Sequence, residues 1–126
     1  MKLIDTNIVL RYLLNDNEKF TKKVAEILLN EDVLVLAQVI AEAIYVLRST
    51  YNVTREEIAD MLLDFCQMSS VYIENEKVLL FAIAEYRNSN LDFVDVLLYS
   101  HQKHTGMEVI TFDRKLQTKL KGLEII

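Results

Sequence analysis

The chain has no proline and no tryptophan, only two glycines, and a single cysteine in 126 residues. Flexible linkers are usually built from proline, glycine and small polar residues. Here glycine occurs only at 106 and 122, and no low-complexity stretch or internal repeat divides the chain. One domain over residues 1–126 is the expectation, at a length where a single core is normal. A lone cysteine cannot close an intramolecular disulfide, which suits a reducing compartment, and Cys66 within IADMLLDFCQM reads as a small core residue rather than a nucleophile. Long apolar runs are missing too. Nothing approaches the ~20 residues of a membrane span. The opening MKLIDTNIVLRYLL has charges among its apolar residues and no small-residue cleavage site after it, unlike a signal peptide. The expected setting is cytoplasmic, without a membrane.

Bases are outnumbered, 14 Lys and Arg against 19 Asp and Glu, for a net charge of -5. Such a balance argues against a nucleic-acid partner, because phosphates are bound chiefly by Lys and Arg, unless a divalent cation reverses the charge locally. What is present is a 52% hydrophobic content, ample for a core. Short β-branched runs at Lys2 to Ile4, Val33 to Leu36, Val71 to Ile73, Val109 to Thr111 and Leu123 to Ile126 predict strands. Helical periodicity fills Glu18 to Asn30, Gln38 to Ser49, Glu76 to Asn88, Asp92 to His104 and Arg114 to Leu120. Thr54 followed by Glu57 is a capping-box pattern that starts a further helix running to about Gln67. Strands alternating with helices predict an α/β sandwich with a mainly parallel central sheet.

In such folds ligands bind beyond the carboxyl ends of the strands. Asp5 follows the first strand and Asp113 the fourth, so both face one crevice if those strands are neighbours. Glu42 lies early in the helix after the second strand, between Ala41 and Ala43. Asp92 and Asp95, three apart, share a face at the start of the helix before the fourth strand. Clustered carboxylates repel one another and generally need a cation. Oxygen-only donors suit Mg²⁺ or Mn²⁺, which serve phosphate chemistry, so metal-assisted phosphodiester hydrolysis is the expected reaction. Simpler roles stand beside these: a helix cap for Asp92 or Asp95, a turn residue for Asp5 or Asp113, and an ion pair with Arg48 for Glu42. Thr6, Asn7 and Thr111 are candidates to orient carboxylates or waters, with capping as the alternative for Thr6 and Asn7. His101 and His104 have helical spacing but lack companions for a zinc site.

Four segments in order, LIDTNIVLRYLL, AEAIYVLRSTYNVTREEI, NLDFVDVLLYSH and VITFDRKL, resemble the PIN-domain family across essentially the whole chain, and within it the VapC-like toxins of bacterial toxin-antitoxin pairs. The resemblance implies a three-layer α/β/α sandwich and an endoribonuclease using Mg²⁺ or Mn²⁺. It places the family's four acids at Asp5, Glu42, Asp95 and Asp113, leaves Asp92 as an auxiliary acid or a cap, and matches Thr6, Asn7 and Thr111 to the accompanying polar positions. It also implies a homodimer and a VapB-like antitoxin partner. Val9, Tyr12, Leu13, Leu14 and the Leu28-Leu29 helix end are candidates for an antitoxin groove, with the core as the alternative. Arg11, Arg48, Arg114 and Lys115 are candidates for contacts to RNA. Two other readings remain: a PIN-like nuclease of RNA or DNA processing without a toxin role, and a non-catalytic binding domain.

Overall fold

The computed structural model describes residues 1–125. Three short parallel strands, β1 (Lys2–Leu3), β2 (Val33–Val35) and β3 (Val71–Ile73), form a sheet in the order β1-β2-β3. Parallel neighbours require long crossovers. Helices α1 (Thr6–Leu14) and α2 (Glu18–Asn30) supply the first, α3 (Ala37–Ser49) and α4 (Arg55–Cys66) the second. Helices α5 (Glu76–Tyr86), α6 (Phe93–Thr105) and α7 (Arg114–Lys121) follow. The α/β class with a parallel sheet is as expected. Among the described residues no helix is long and apolar enough to cross a membrane.

Register explains why β2 is central. Lys2 pairs with Val33 and Val33 with Val71, which puts Val33, Val35 and Val71 on one face, and all three are buried. Leu3, Leu34 and Tyr72 share the opposite face, where Leu3 and Tyr72 are exposed. Below the buried face the core is built from helix stripes at 3.6-residue spacing: Ile40, Ile44 and Leu47 of α3, Ile58, Leu62 and Phe65 of α4, and Leu79 and Ile83 of α5. Helix α5 packs along both α4 and α6, and the buried Ser100 of α6 donates its hydroxyl to the Val78 carbonyl at 2.7 Å.

Local chemistry sets the helix ends. Thr54 Oγ1 accepts the Glu57 amide at 3.2 Å, so α4 begins where the capping box places it. Asn17 caps α2 in the same way through the Phe20 amide. Gly106 ends α6 at φ 77°, the left-handed position that favours glycine.

Two expected strands do not form. Val109 to Thr111 runs without a strand partner, and Ile110 and Phe112 are 91% and 97% exposed. Helix α7 explains this: Leu116 and Leu120 are buried, and α7 packs against α6. Glutamine side chains then occupy backbone groups that a ladder would use, since Gln102 Oε1 accepts the Val109 amide at 2.8 Å and Gln117 Nε2 donates to the Thr111 carbonyl at 2.7 Å. The second missing strand, Leu123 to Ile126, is replaced by a 3₁₀ helix over Gly122–Ile125, and Ile126 lies outside the described residues.

Cys66 is buried on α4, and burial alone pushes its thiol up to about 12. The unfolded thiol ionises near 8.5. The native state therefore holds the proton through a pH range in which the unfolded chain loses it, and this group's contribution to stability falls as pH rises above about 8.5. Native protein at pH 8 is expected to resist a thiol-reactive dye and to label fully in urea. Rapid labelling without denaturant would show that Cys66 is accessible.

Candidate functional site

The acidic residues sit at helix starts, and the chain decides which of them are caps. Asp5 is the N-cap of α1, its Oδ1 accepting the Ile8 amide at 3.1 Å. Asp113 is the N-cap of α7, its Oδ1 accepting the Leu116 amide at 2.9 Å. Asp92 occupies the N-cap position of α6 without a side-chain cap bond, and Asp95 lies in the first turn. Capping thus falls to Asp5 and Asp113, whereas the sequence reading offered it to Asp92 and Asp95. Thr6 and Asn7 are the first residues of α1 rather than its caps. Thr111 Oγ1 accepts the Asp113 amide at 3.0 Å, so it fixes the backbone that carries Asp113 and leaves the carboxylate itself untouched.

Three aspartates from two helix starts line one cavity of about 300 Å³: Asp92 and Asp95 from α6 and Asp113 from α7, with Asn90, Arg114 and Lys115 around them. Asp95 is half-buried, the other two exposed. Burial raises the Asp95 carboxyl above its ordinary range, and the charges of Asp113 and then Asp92 raise it further. Neither Arg114 nor Lys115 forms an ion pair with any of the three.

Asp5 and Glu42 are not among the residues lining this cavity. Asp5 borders another cavity, about 770 Å³, together with Leu3, Ile4, Ile8 and Ile27. Glu42 is exposed on α3 and makes no ion pair with Arg48 or any other base among the described residues.

The PIN domain family matches residues 2–121. This chain belongs to the PIN domain family. No curated protein and no solved structure matches it. PIN domains are generally nucleases and typically use divalent metal ions.

The donor set of this PIN domain can be tested against such an ion. Among the described residues no three His, Cys, Asp or Glu side chains are arranged tightly enough to hold a metal directly. Asp92, Asp95 and Asp113 are nonetheless close enough to repel, and all their donors are oxygen. A hard cation that keeps several waters fits such a loosely spaced trio, and its charge would offset the repulsion that raises Asp95.

The remaining candidates divide by environment. Arg11 is engaged, paired with Asp16 at 3.4 Å and stacked over Phe20. Val9 and Leu28, offered for a partner groove, are buried core residues, whereas Leu29 is 83% exposed. His104 holds Nδ1 at 2.8 Å from the Ser100 carbonyl and sets its ring edge against Phe81, so it belongs to the α5–α6 interface. Tyr45 and Arg55, which the sequence reading did not single out, line a cavity together with Asp92 and Asp95. A signal existed for Tyr45: Glu42, Tyr45 and Arg48 recur every three residues on the face of α3 opposite Ile40, Ala43, Ile44 and Leu47.

Proposed function

We propose that this PIN domain is an endoribonuclease that hydrolyses RNA phosphodiester bonds with Mg²⁺ or Mn²⁺, and that it is the toxin of a VapBC-type pair. In this reading it acts in the cytoplasm as a homodimer, restrained by a VapB-like antitoxin. The observation that carries the proposal is the convergence of Asp92, Asp95 and Asp113 in one cavity of a chain from a nuclease family. Asp95, Asp113 and Asp92 would hold the ion, with Asp5 and Glu42 as the further acids of the site. When bound, such an ion lowers the pKa of its water and stabilises charge on the phosphate.

The chain's own residues have defined tasks around that centre. Asp113 spends one oxygen on the Leu116 amide and keeps the other for the site. Thr111 holds the Asp113 backbone, and Thr6 and Asn7 follow Asp5 at the start of α1. Arg114 and Lys115, at the mouth of the same cavity, supply positive charge for phosphates beyond the scissile one.

Purified protein is expected to cut RNA in Mn²⁺, to stop on chelation, and to lose on the order of 10²-fold in rate as Asp5→Asn. Expression of the wild type is expected to arrest growth and that of Asp5→Asn to permit it. A panel of single-stranded and structured RNAs left intact, together with indistinguishable growth of the two strains, would overturn the reading. Cleavage without growth arrest would remove the toxin role and keep the nuclease.

A further inference from the structure

Asp92 and Asp95 also line a second cavity, about 330 Å³, whose remaining walls include Tyr45, Arg48, Arg55 and Tyr86. Its size falls in the range of small-ligand sites. Its chemistry differs from the acidic pit. Tyr45 is 72% exposed, an aromatic ring largely free of packing within the chain. Arg48 donates one guanidinium nitrogen to the Val53 carbonyl at 3.3 Å and pairs with no carboxylate. Arg55 lies 4.2 Å over the Tyr86 ring, donates to the Leu91 carbonyl at 2.8 Å, and likewise has no carboxylate partner among the described residues.

Two arginines without a carboxylate partner among the described residues and an open tyrosine are thus gathered at one cavity of a chain of charge -5. Arg48 and Arg55 are anchored through part of the guanidinium and keep other donors available, which suits a phosphate. Tyr45 suits the face of an unstacked base, since stacking on aromatic side chains accepts any base but only one splayed out of a duplex. Asp92 and Asp95 stand between this cavity and the pit that holds Asp113. A nucleotide here would therefore neighbour the phosphate being cut.

We infer that the cavity bounded by Tyr45, Arg48 and Arg55 is a nucleotide subsite that holds one unpaired base of the RNA adjoining the scissile phosphate, so that single-stranded RNA is selected over duplex. This deepens the nuclease reading and rests on it. Tyr45 is the stacking platform, and Arg48 and Arg55 are the phosphate contacts. The duplex is rejected because its bases are already stacked on one another.

The test is binding of a fluorescently labelled unstructured RNA hexamer, by anisotropy in Mn²⁺, to Asp5→Asn protein, with a gel confirming that the hexamer stays whole. Against this background Tyr45→Ala is expected to weaken binding about 5- to 100-fold, the worth of one base stack. Tyr45→Phe should retain it, and Arg48→Ala should weaken it while flattening the salt dependence. The same hexamer annealed to its complement should bind more weakly than the single strand. In otherwise wild-type protein Tyr45→Ala should raise KM more than it lowers kcat. Unchanged melting of each variant, expected because Tyr45 and Arg48 are exposed, excludes misfolding. Equal binding by Tyr45→Ala and Arg48→Ala, equal binding of the duplex, or no binding to the parent protein would each overturn the subsite. Tyr45-dependent binding with no cleavage by wild-type protein would instead sink the nuclease reading and leave the subsite standing.

Discussion

Asp95→Asn is expected to lower RNA cleavage on the order of 10²- to 10³-fold while making the metal-free protein more resistant to heat. Both effects have one origin. Asp95 is the half-buried member of the trio, and burial, Asp113 and Asp92 each disfavour its ionised form. Asparagine keeps the shape and removes the charge, so the repulsion disappears together with the ligand. A like-charge pair on a helix surface costs a few tenths of a kcal/mol, and with Asp113 added the gain should be about 0.5 kcal/mol, one to a few degrees in Tm. The direction with pH follows from linkage. A carboxyl that titrates higher when folded binds its proton more tightly in the native state, so wild-type stability falls as pH rises from the ordinary aspartate range through the raised value. Melting curves in chelator between pH 3.5 and 8 should show that fall in the wild type and a smaller one in Asp95→Asn. A variant less stable than wild type at every pH would mean that the Asp95 charge is compensated in the native state.

Phe65→Ala is expected to cost about 3–5 kcal/mol, a large share of the 5–15 kcal/mol typical of a whole domain. Phe65 is 1% exposed and sits in the core with Leu62 and Ile58 of the same helix. Its ring lies 5.6 Å from that of Tyr12, tilted by 47°, so one side chain joins α4 to α1. Truncation removes apolar area from the core and leaves a cavity that rigid neighbours fill only in part. Tm should drop by about 10–20 °C. Leu29→Ala, an apolar truncation at an exposed site, should stay within about 0.5 kcal/mol and serves as the control. A Phe65→Ala loss below about 1 kcal/mol in urea denaturation would contradict this packing.

Arrangement of the acids has a consequence for Asp5→Asn as well. Asn remains a good N-cap, so this substitution should leave α1 and the fold intact. A loss of cleavage in Asp5→Asn then reports on chemistry rather than folding.

Much was legible locally, and the reasons are local. Helix α2 begins and ends where its amphipathic stripe places it, and α4 starts at the Thr54 capping box. The three β-branched runs that found partners became strands. Motifs spread over the chain pointed to the PIN family, which matches residues 2–121. Periodicity, capping and composition act over a few residues, so they can be read from the chain directly.

Only the tertiary structure decided which acids meet and which unpaired segments join the sheet. Val109 to Thr111 has the composition of a strand, but a strand is made by its neighbour, and here Gln102 and Gln117 take up its backbone groups while α7 anchors on α6. Asp113, at the start of α7, lines one cavity with Asp92 and Asp95. Asp92, an auxiliary acid or a cap in the sequence, makes no side-chain cap bond and lines the cavity with Asp95 and Asp113. The chain by itself determined its family, the helices after α1 and a surplus of carboxylates. Which of them share one electrostatic field depended on long-range packing, because repulsion between charges is set by distance in space and not by spacing along the chain.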